Sequence, residues 1–242
     1  MTTRPALQAV VVFLGVTGFI ALLFQLSRSA SLVGSHLHAL VAAVFLLVPS
    51  WIARRAREDL GEYGFSLRPA WPSLLMAAWV SAIVFSLFLV GFVLFYQATC
   101  GGTSWGLENL APGLCHRFVG WKGLAEPRAP MDFLDSAITQ VVVVAVPEEL
   151  FFRGYLLRRL EEAFPPRRRL LGGGIGIALA TSALLFALGH VLVDGDFRRM
   201  AVFFPGLLFG WMRSATGSIL AGSIVHAASN LYIEALHRTF FP

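Results

Sequence analysis

The chain has 242 residues, 57% of them hydrophobic and only 14% charged, with a formal net charge of +5 and a mean hydropathy of +0.71. So few charges cannot cover a water-soluble globule of this size, which excludes an ordinary soluble enzyme and points to a polytopic membrane protein. The cationic excess sits in loops beside apolar runs, where it suits lipid headgroups, and no basic groove or interleaved aromatic pattern marks a nucleic-acid partner.

A hydrocarbon core of about 30 Å needs about 20 helical residues at about 1.5 Å each. By that measure the sequence predicts an all-α transmembrane helix bundle of about seven spans (six to eight), near residues 6–26, 32–52, 72–96, 133–160, 170–191, 199–213 and 217–238. No repeat or long polar linker divides residues 1–242, so one integral membrane domain is expected. The first apolar run follows Arg4 like a signal peptide. Its length, and Arg28 at the third position before a cut after Ala30, favour an uncleaved span. In the second span His36 and His38 lie two apart, on different helix faces, and read as packing or interfacial residues.

The distribution of arginines sets the expected orientation. With the N-terminus in the cytoplasm, Arg4, the loop carrying Arg54, Arg55, Arg57 and Arg68, the hairpin with Arg158, Arg159 and Arg167 to Arg169, and Arg213 all face inward. The loop from about 97 to 130 then faces outward with both cysteines, Cys100 and Cys115. An oxidising compartment permits a disulfide there, and two free thiols near an interface are the alternative.

Ionisable side chains in hydrocarbon cost roughly 2.5–3.5 kcal/mol each on insertion scales, so those inside apolar runs ask for a role. In the fourth span Glu148 and Glu149 precede Arg153. Residues four apart share a helix face, so Glu149 pairs with Arg153 while Glu148 points about 100° away and is left free. Pro147 weakens the helix immediately before them and releases a backbone carbonyl. A surface ion pair at a helix end would look similar, but Phe151, Phe152, Tyr155, Leu156 and Leu157 carry the apolar run past the charges. In the fifth span Phe186 stands four before His190, and in the last His226 stands four before Asn230, beside the small residues Ala227, Ala228 and Ser229. Such small residues also make an ordinary packing face.

Depth links these sites. If a hairpin turns at Pro165 and Pro166, Glu148 and His190 lie roughly 25 and 30 Å from it at about 1.5 Å per residue, close enough to share a pocket. His226 begins roughly 13 Å above Gly217, with Asn230 about 6 Å higher, so tilt is needed to bring that pair alongside.

Taken in order, Glu-Glu-x-x-x-Arg at Glu148, Phe-x-x-x-His at Phe186 and His-x-x-x-Asn at His226 resemble the CAAX protease and bacteriocin-processing (CPBP) family of intramembrane proteases. The glycine-rich segment from Phe204 to Ser218 resembles the helix such proteins carry between the second and third motifs. The resemblance covers about residues 131–238, the core carrying the three motifs, and leaves the first three spans unassigned. It implies an intramembrane endopeptidase: Glu148 with His190 activates a water, His226 and Asn230 bind the developing oxyanion, and Glu149 and Arg153 hold the motif helix in shape. A partly desolvated carboxylate is a competent general base, and Asn and His donors can meet a tetrahedral intermediate.

No cofactor is certain. Glu148, His190 and His226 also make a two-His-one-carboxylate set of the kind that holds zinc with an open position, although the His-Glu-x-x-His helix is missing. A metal-independent glutamate mechanism is the expectation, and spacing settles neither version. The expected partners are membrane lipid and a membrane-anchored protein or peptide substrate, with a bacterial inner membrane as the setting. Trimming of the C-terminal region of an exported protein, as in myxosortase-like members, is the substrate reading. The rival is a non-catalytic membrane scaffold or bacteriocin-immunity protein that keeps the polar cluster for interhelical hydrogen bonds.

Overall fold

The computed structural model describes residues 4–101, 113 and 115–242. It is a helical membrane protein with a single short β-hairpin among the described residues. Helices α1 (Arg4–Ser27), α2 (Ser31–Ala56) and α3 (Ala70–Cys100) come first. A continuous helix, α4, runs over residues 133–163. The hairpin of β1 (Arg168–Leu170) and β2 (Gly173–Ile175) follows, then α5 (Ile177–Asp194), α6 (Phe203–Thr216) and α7 (Leu220–Phe240).

Among the described residues α1, α2, α3 and α5 are long and apolar enough to cross a membrane. The remaining expected spans differ for identifiable reasons. The hairpin takes residues 168–175, so the fifth helix starts at Ile177 and not near 170. The sixth has 14 residues, about 21 Å at 1.5 Å each, which is shorter than the hydrocarbon core. The last carries Glu234, His237 and Arg238 in its final turns.

The chain packs as two compact units, residues 1–77 with 141–226, and residues 78–140 with 227–242. In the first, α1 buries Ala9, Phe13, Val16, Ile20 and Leu23, a stripe at helical spacing, against α2, α5 and the end of α4. Lipid is as apolar as leucine, so interlocking shape and not water exclusion holds such helices together. Here the interlock is aromatic: Phe45 lies 5.1 Å from Phe151 and 5.6 Å from Phe152, which lies 4.9 Å from Phe186. Each such ring pair contributes about 0.5–1.5 kcal/mol.

The end of α2 is fastened to the end of α4 by charge. Arg57 adopts a left-handed conformation (φ 59°) and ends α2, and Glu58 and Glu62 beyond it meet Arg159 at 2.7 Å and Arg158 at 2.6 Å. The Tyr63 hydroxyl donates to Glu58 at 2.6 Å, and its ring stacks on Tyr155. Burial alone would raise the Glu58 carboxyl, but hydrogen bonds from Tyr63 and Arg159 and the two arginine charges bring it below the usual carboxylate range. Burial, reinforced by the bond to Glu58, pushes the Tyr63 phenol up to about 12.

The second unit gathers Phe92, Val93, Leu236, Phe240 and Phe241 into an apolar cluster. Cys100 and Cys115 form a disulfide, one of the two alternatives left open by the sequence. Arg117 donates to the carbonyls of Phe241 and Pro242, which fastens the loop after α3 to the end of α7.

Candidate active site

Helix α4 is not α-helical throughout. Residues Thr139–Ala145 and Leu150–Leu156 are wound as π-helix, and Val146–Glu149 between them is α-helical. Pro147 has no N–H to give the preceding turn, and a wider turn absorbs that loss without ending the helix. The helix changes its winding on both sides of the glutamates. Wide turns of this kind are rare and cluster at functional sites.

Glu149 and Arg153 are fully buried and 3.0 Å apart, as their spacing predicted. The approach lies off the N–H axis, so attraction between charges and not an aligned hydrogen bond joins them. The guanidinium is enclosed by rings, 4.1 Å from the centre of Phe186 and 5.3 Å from that of Phe209, and reaches the Gly206 carbonyl at 3.4 Å. Glycine at 222 lets α7 pass close to Glu149: a Cβ there would come within 3.1 Å of Glu149 Oε2, a tight approach.

His226 of α7 meets both glutamates. Its Nδ1 lies 3.1 Å from Glu149 Oε1, and its Nε2 lies 3.8 Å from Glu148 Oε2. Phe209 stacks on the imidazole at 5.1 Å and Phe186 meets it edge-on at 6.1 Å. Glu148 differs from its neighbour: its side chain keeps 15% of its exposure, and its Oε2 has no hydrogen-bond partner. One carboxylate is sealed in and the other is left facing an imidazole.

His190 sits where the motif spacing put it, its ring 4.6 Å from Phe186, with Nδ1 2.9 Å from the Phe186 carbonyl. An N–H donated there leaves Nε2 as an acceptor. Among the described residues the imidazole within 4 Å of Glu148 is that of His226 and not that of His190. Asn230 stands one turn beyond His226 on α7, and its amide donates to Gln140 Oε1 at 2.8 Å. Gln140 was not singled out from the sequence. Its signal was a lone amide just before the apolar run from Val141 to Val146.

Among the described residues no group of three or more His, Cys, Asp or Glu side chains is gathered closely enough to hold a metal ion. As arranged, the side chains of Glu148, His190 and His226 are not gathered into one metal-binding set.

A buried ion pair, an unpartnered carboxylate beside an imidazole and a second histidine on a neighbouring helix form a polar site among apolar helices. Residues 130–232 match the family model described as type II CAAX prenyl endopeptidase Rce1-like. No curated protein and no solved structure is matched by the chain. The family supports intramembrane endopeptidase activity of the CAAX type, with a protein or peptide substrate and an integral membrane setting.

Proposed function

We propose that this protein hydrolyses a peptide bond of a membrane-anchored protein with a water activated by Glu148. The observation that carries the reading is the contrast between the two adjacent glutamates. Glu149 is committed to Arg153 and His226, whereas Glu148 Oε2 is unpartnered at 3.8 Å from His226 Nε2. That separation is too long for a hydrogen bond and suits a bridging water. With Nδ1–H given to Glu149, a neutral His226 presents a lone pair at Nε2, so the bridging water donates to two acceptors and its oxygen is left electron-rich. Glu148 takes the proton as the oxygen attacks the carbonyl and returns it to the leaving amine as the C–N bond breaks, and His190, with Nε2 as acceptor, is the second base on the neighbouring helix.

The resemblance of His226-x-x-x-Asn230 to the family motif assigns Asn230 the oxyanion contact. Its amide donates to Gln140 Oε1. Arg153 and Glu149 hold the helix and the His226 tautomer. The reading departs from the sequence expectation in one respect: His226 acts first on the water, because it is the imidazole nearest Glu148.

The substrate class is a membrane-anchored or exported protein cut in its C-terminal region, and the setting is a bacterial inner membrane with the N-terminus in the cytoplasm. The arginine distribution supports this orientation, and so does the disulfide in the loop after α3, which suits an oxidising exterior. The test is purified protein in nanodiscs, assayed with and without chelator on two substrates, one ending in a prenylated cysteine and one ending in a hydrophobic helical tail. Cleavage of either by the parent, abolished in Glu148→Gln with its unfolding midpoint unchanged, supports the reading. No cleavage of either by the well-folded parent overturns it and favours the scaffold.

A further inference from the structure

An antiparallel hairpin is an unexpected element in a helical membrane protein, and this one combines three unusual features. Arg167, Arg168 and Arg169 are consecutive and exposed, and among the described residues no carboxylate comes within ion-pair distance of them. Arg169 donates to the Gly172 carbonyl at 3.3 Å, across the turn. Leu170 and Leu171 follow at 56% and 72% exposure. The two-residue turn places Leu171 at φ 47° and Gly172 at φ 85°. Such turns favour Asn, Asp or Gly at both positions, so a leucine there is strained. Strain kept at an exposed apolar tip calls for a use.

The hairpin is fastened rather than loose. Trp211 Nε1 donates to the Leu170 carbonyl at 2.8 Å, and the Gly174 N–H donates to Ser214 Oγ at 2.8 Å. A Cβ on Gly173 would collide with the Trp211 ring.

Its level follows from its neighbours. Gly176 alone separates β2 from Ile177, the first residue of a helix able to span. The ion pairs of Arg158 and Arg159 with Glu62 and Glu58 tie the end of α4, which leads into the hairpin, to the end of α2. Near that end the exposed Trp51 lies under the Arg55 guanidinium at 4.6 Å, an arrangement of the headgroup layer.

We infer that the β1–β2 hairpin is a lipid-contact element: Arg167 to Arg169 take anionic phospholipid headgroups while Leu170 and Leu171 enter the acyl boundary. A cationic row behind an apolar tip complements the layering of an anionic leaflet, charge outside and hydrocarbon beneath. An acidic peptide would match the arginines and leave the strained leucine unexplained. The inference rests on the membrane setting and not on the proteolytic reading.

The experiment places an environment-sensitive fluorophore on Leu171→Cys, with the native disulfide left oxidised so that the tip thiol alone reacts. The labelled protein is placed in nanodiscs of phosphatidylcholine alone or with one-third phosphatidylglycerol, and quenching by acrylamide is measured. Expected are a blue-shifted emission and several-fold weaker quenching in the anionic discs, both erased by R167Q/R168Q/R169Q. If that variant does not fold, potassium chloride is titrated against the Leu171→Cys protein, and concentrated salt should restore quenching in the anionic discs alone. Equal quenching in both lipids overturns the inference. So does a triple variant that weakens cleavage of an acidic substrate while leaving the tip's quenching unchanged, since that assigns the arginines to a protein partner.

Discussion

His226 takes its orientation from Glu149, whose Oε1 lies 3.1 Å from Nδ1 across 77 residues of sequence. The same oxygen faces Arg153 at 3.0 Å, so one buried carboxylate both fixes an imidazole and neutralises a guanidinium. Removing one member of a buried pair leaves an uncompensated charge and costs about 3–5 kcal/mol. Glu149→Gln therefore lowers the thermal unfolding midpoint markedly in detergent. Glu148→Gln, which breaks no ion pair with an arginine, leaves that midpoint nearly unchanged.

Activity responds in the opposite pattern. Glu148→Gln and His226→Ala lower kcat by about 10²- to 10⁴-fold, the range a general base contributes. Single-turnover cleavage of a tailed substrate measures it. A change confined to KM would assign both residues to binding.

Gln140 and Asn230 provide a finer test. Gln140→Ala removes the acceptor that fixes the Asn230 amide and lowers kcat about 5- to 10-fold, the kinetic equivalent of about 1 kcal/mol, with KM retained. Gln140→Glu keeps an acceptor at that place and recovers much of the loss. A KM effect without a kcat effect would show that Gln140 contacts substrate.

The clamp at the ends of α2 and α4 depends on pH. The Glu58 carboxyl is held below its ordinary range, so its contribution is fully present above that range and is lost as pH falls through the lowered value. The Tyr63 phenol, raised to about 12, contributes below its ordinary value of 10.0 and loses that contribution as pH rises toward 12. Unfolding midpoints measured against pH should fall at both extremes, and Tyr63→Phe should flatten the alkaline limb.

Cys100 and Cys115 should resist maleimide until reduced. A membrane-impermeant maleimide applied to reduced, intact cells should then label both, because the N-terminus-in orientation puts them outside. Labelling that requires lysis would reverse the orientation.

What the sequence revealed follows from which interactions are local. The Glu149–Arg153 pair and the Phe186–His190 contact both span four residues, so helical geometry alone places them. The approach of His226 to Glu148 and Glu149 depends on how α7 meets α4, which no spacing encodes, and the sequence accordingly paired Glu148 with His190. The end of the hairpin resembles the start of a span in sequence because Leu170, Leu171 and three glycines carry no polar signal, and only the turn geometry distinguishes a ribbon from a helix there. Gln140 lay beside a valine run whose hydropathy outweighed a single amide.

The two wide turns of α4 make chain length itself part of the active centre. A π turn is an α turn that has taken in an extra residue, so deleting one position among residues 139–145 would let that stretch relax to α-helix. The segments on either side would keep nearly their present facing, because the wide turn is where the extra residue is taken up, but the opened winding before the glutamates would close. Both glutamates would survive such a deletion in kind while the wide winding that precedes them was lost. Comparisons of this helix with its relatives should therefore count residues between Gln140 and Glu148 as carefully as they match letters.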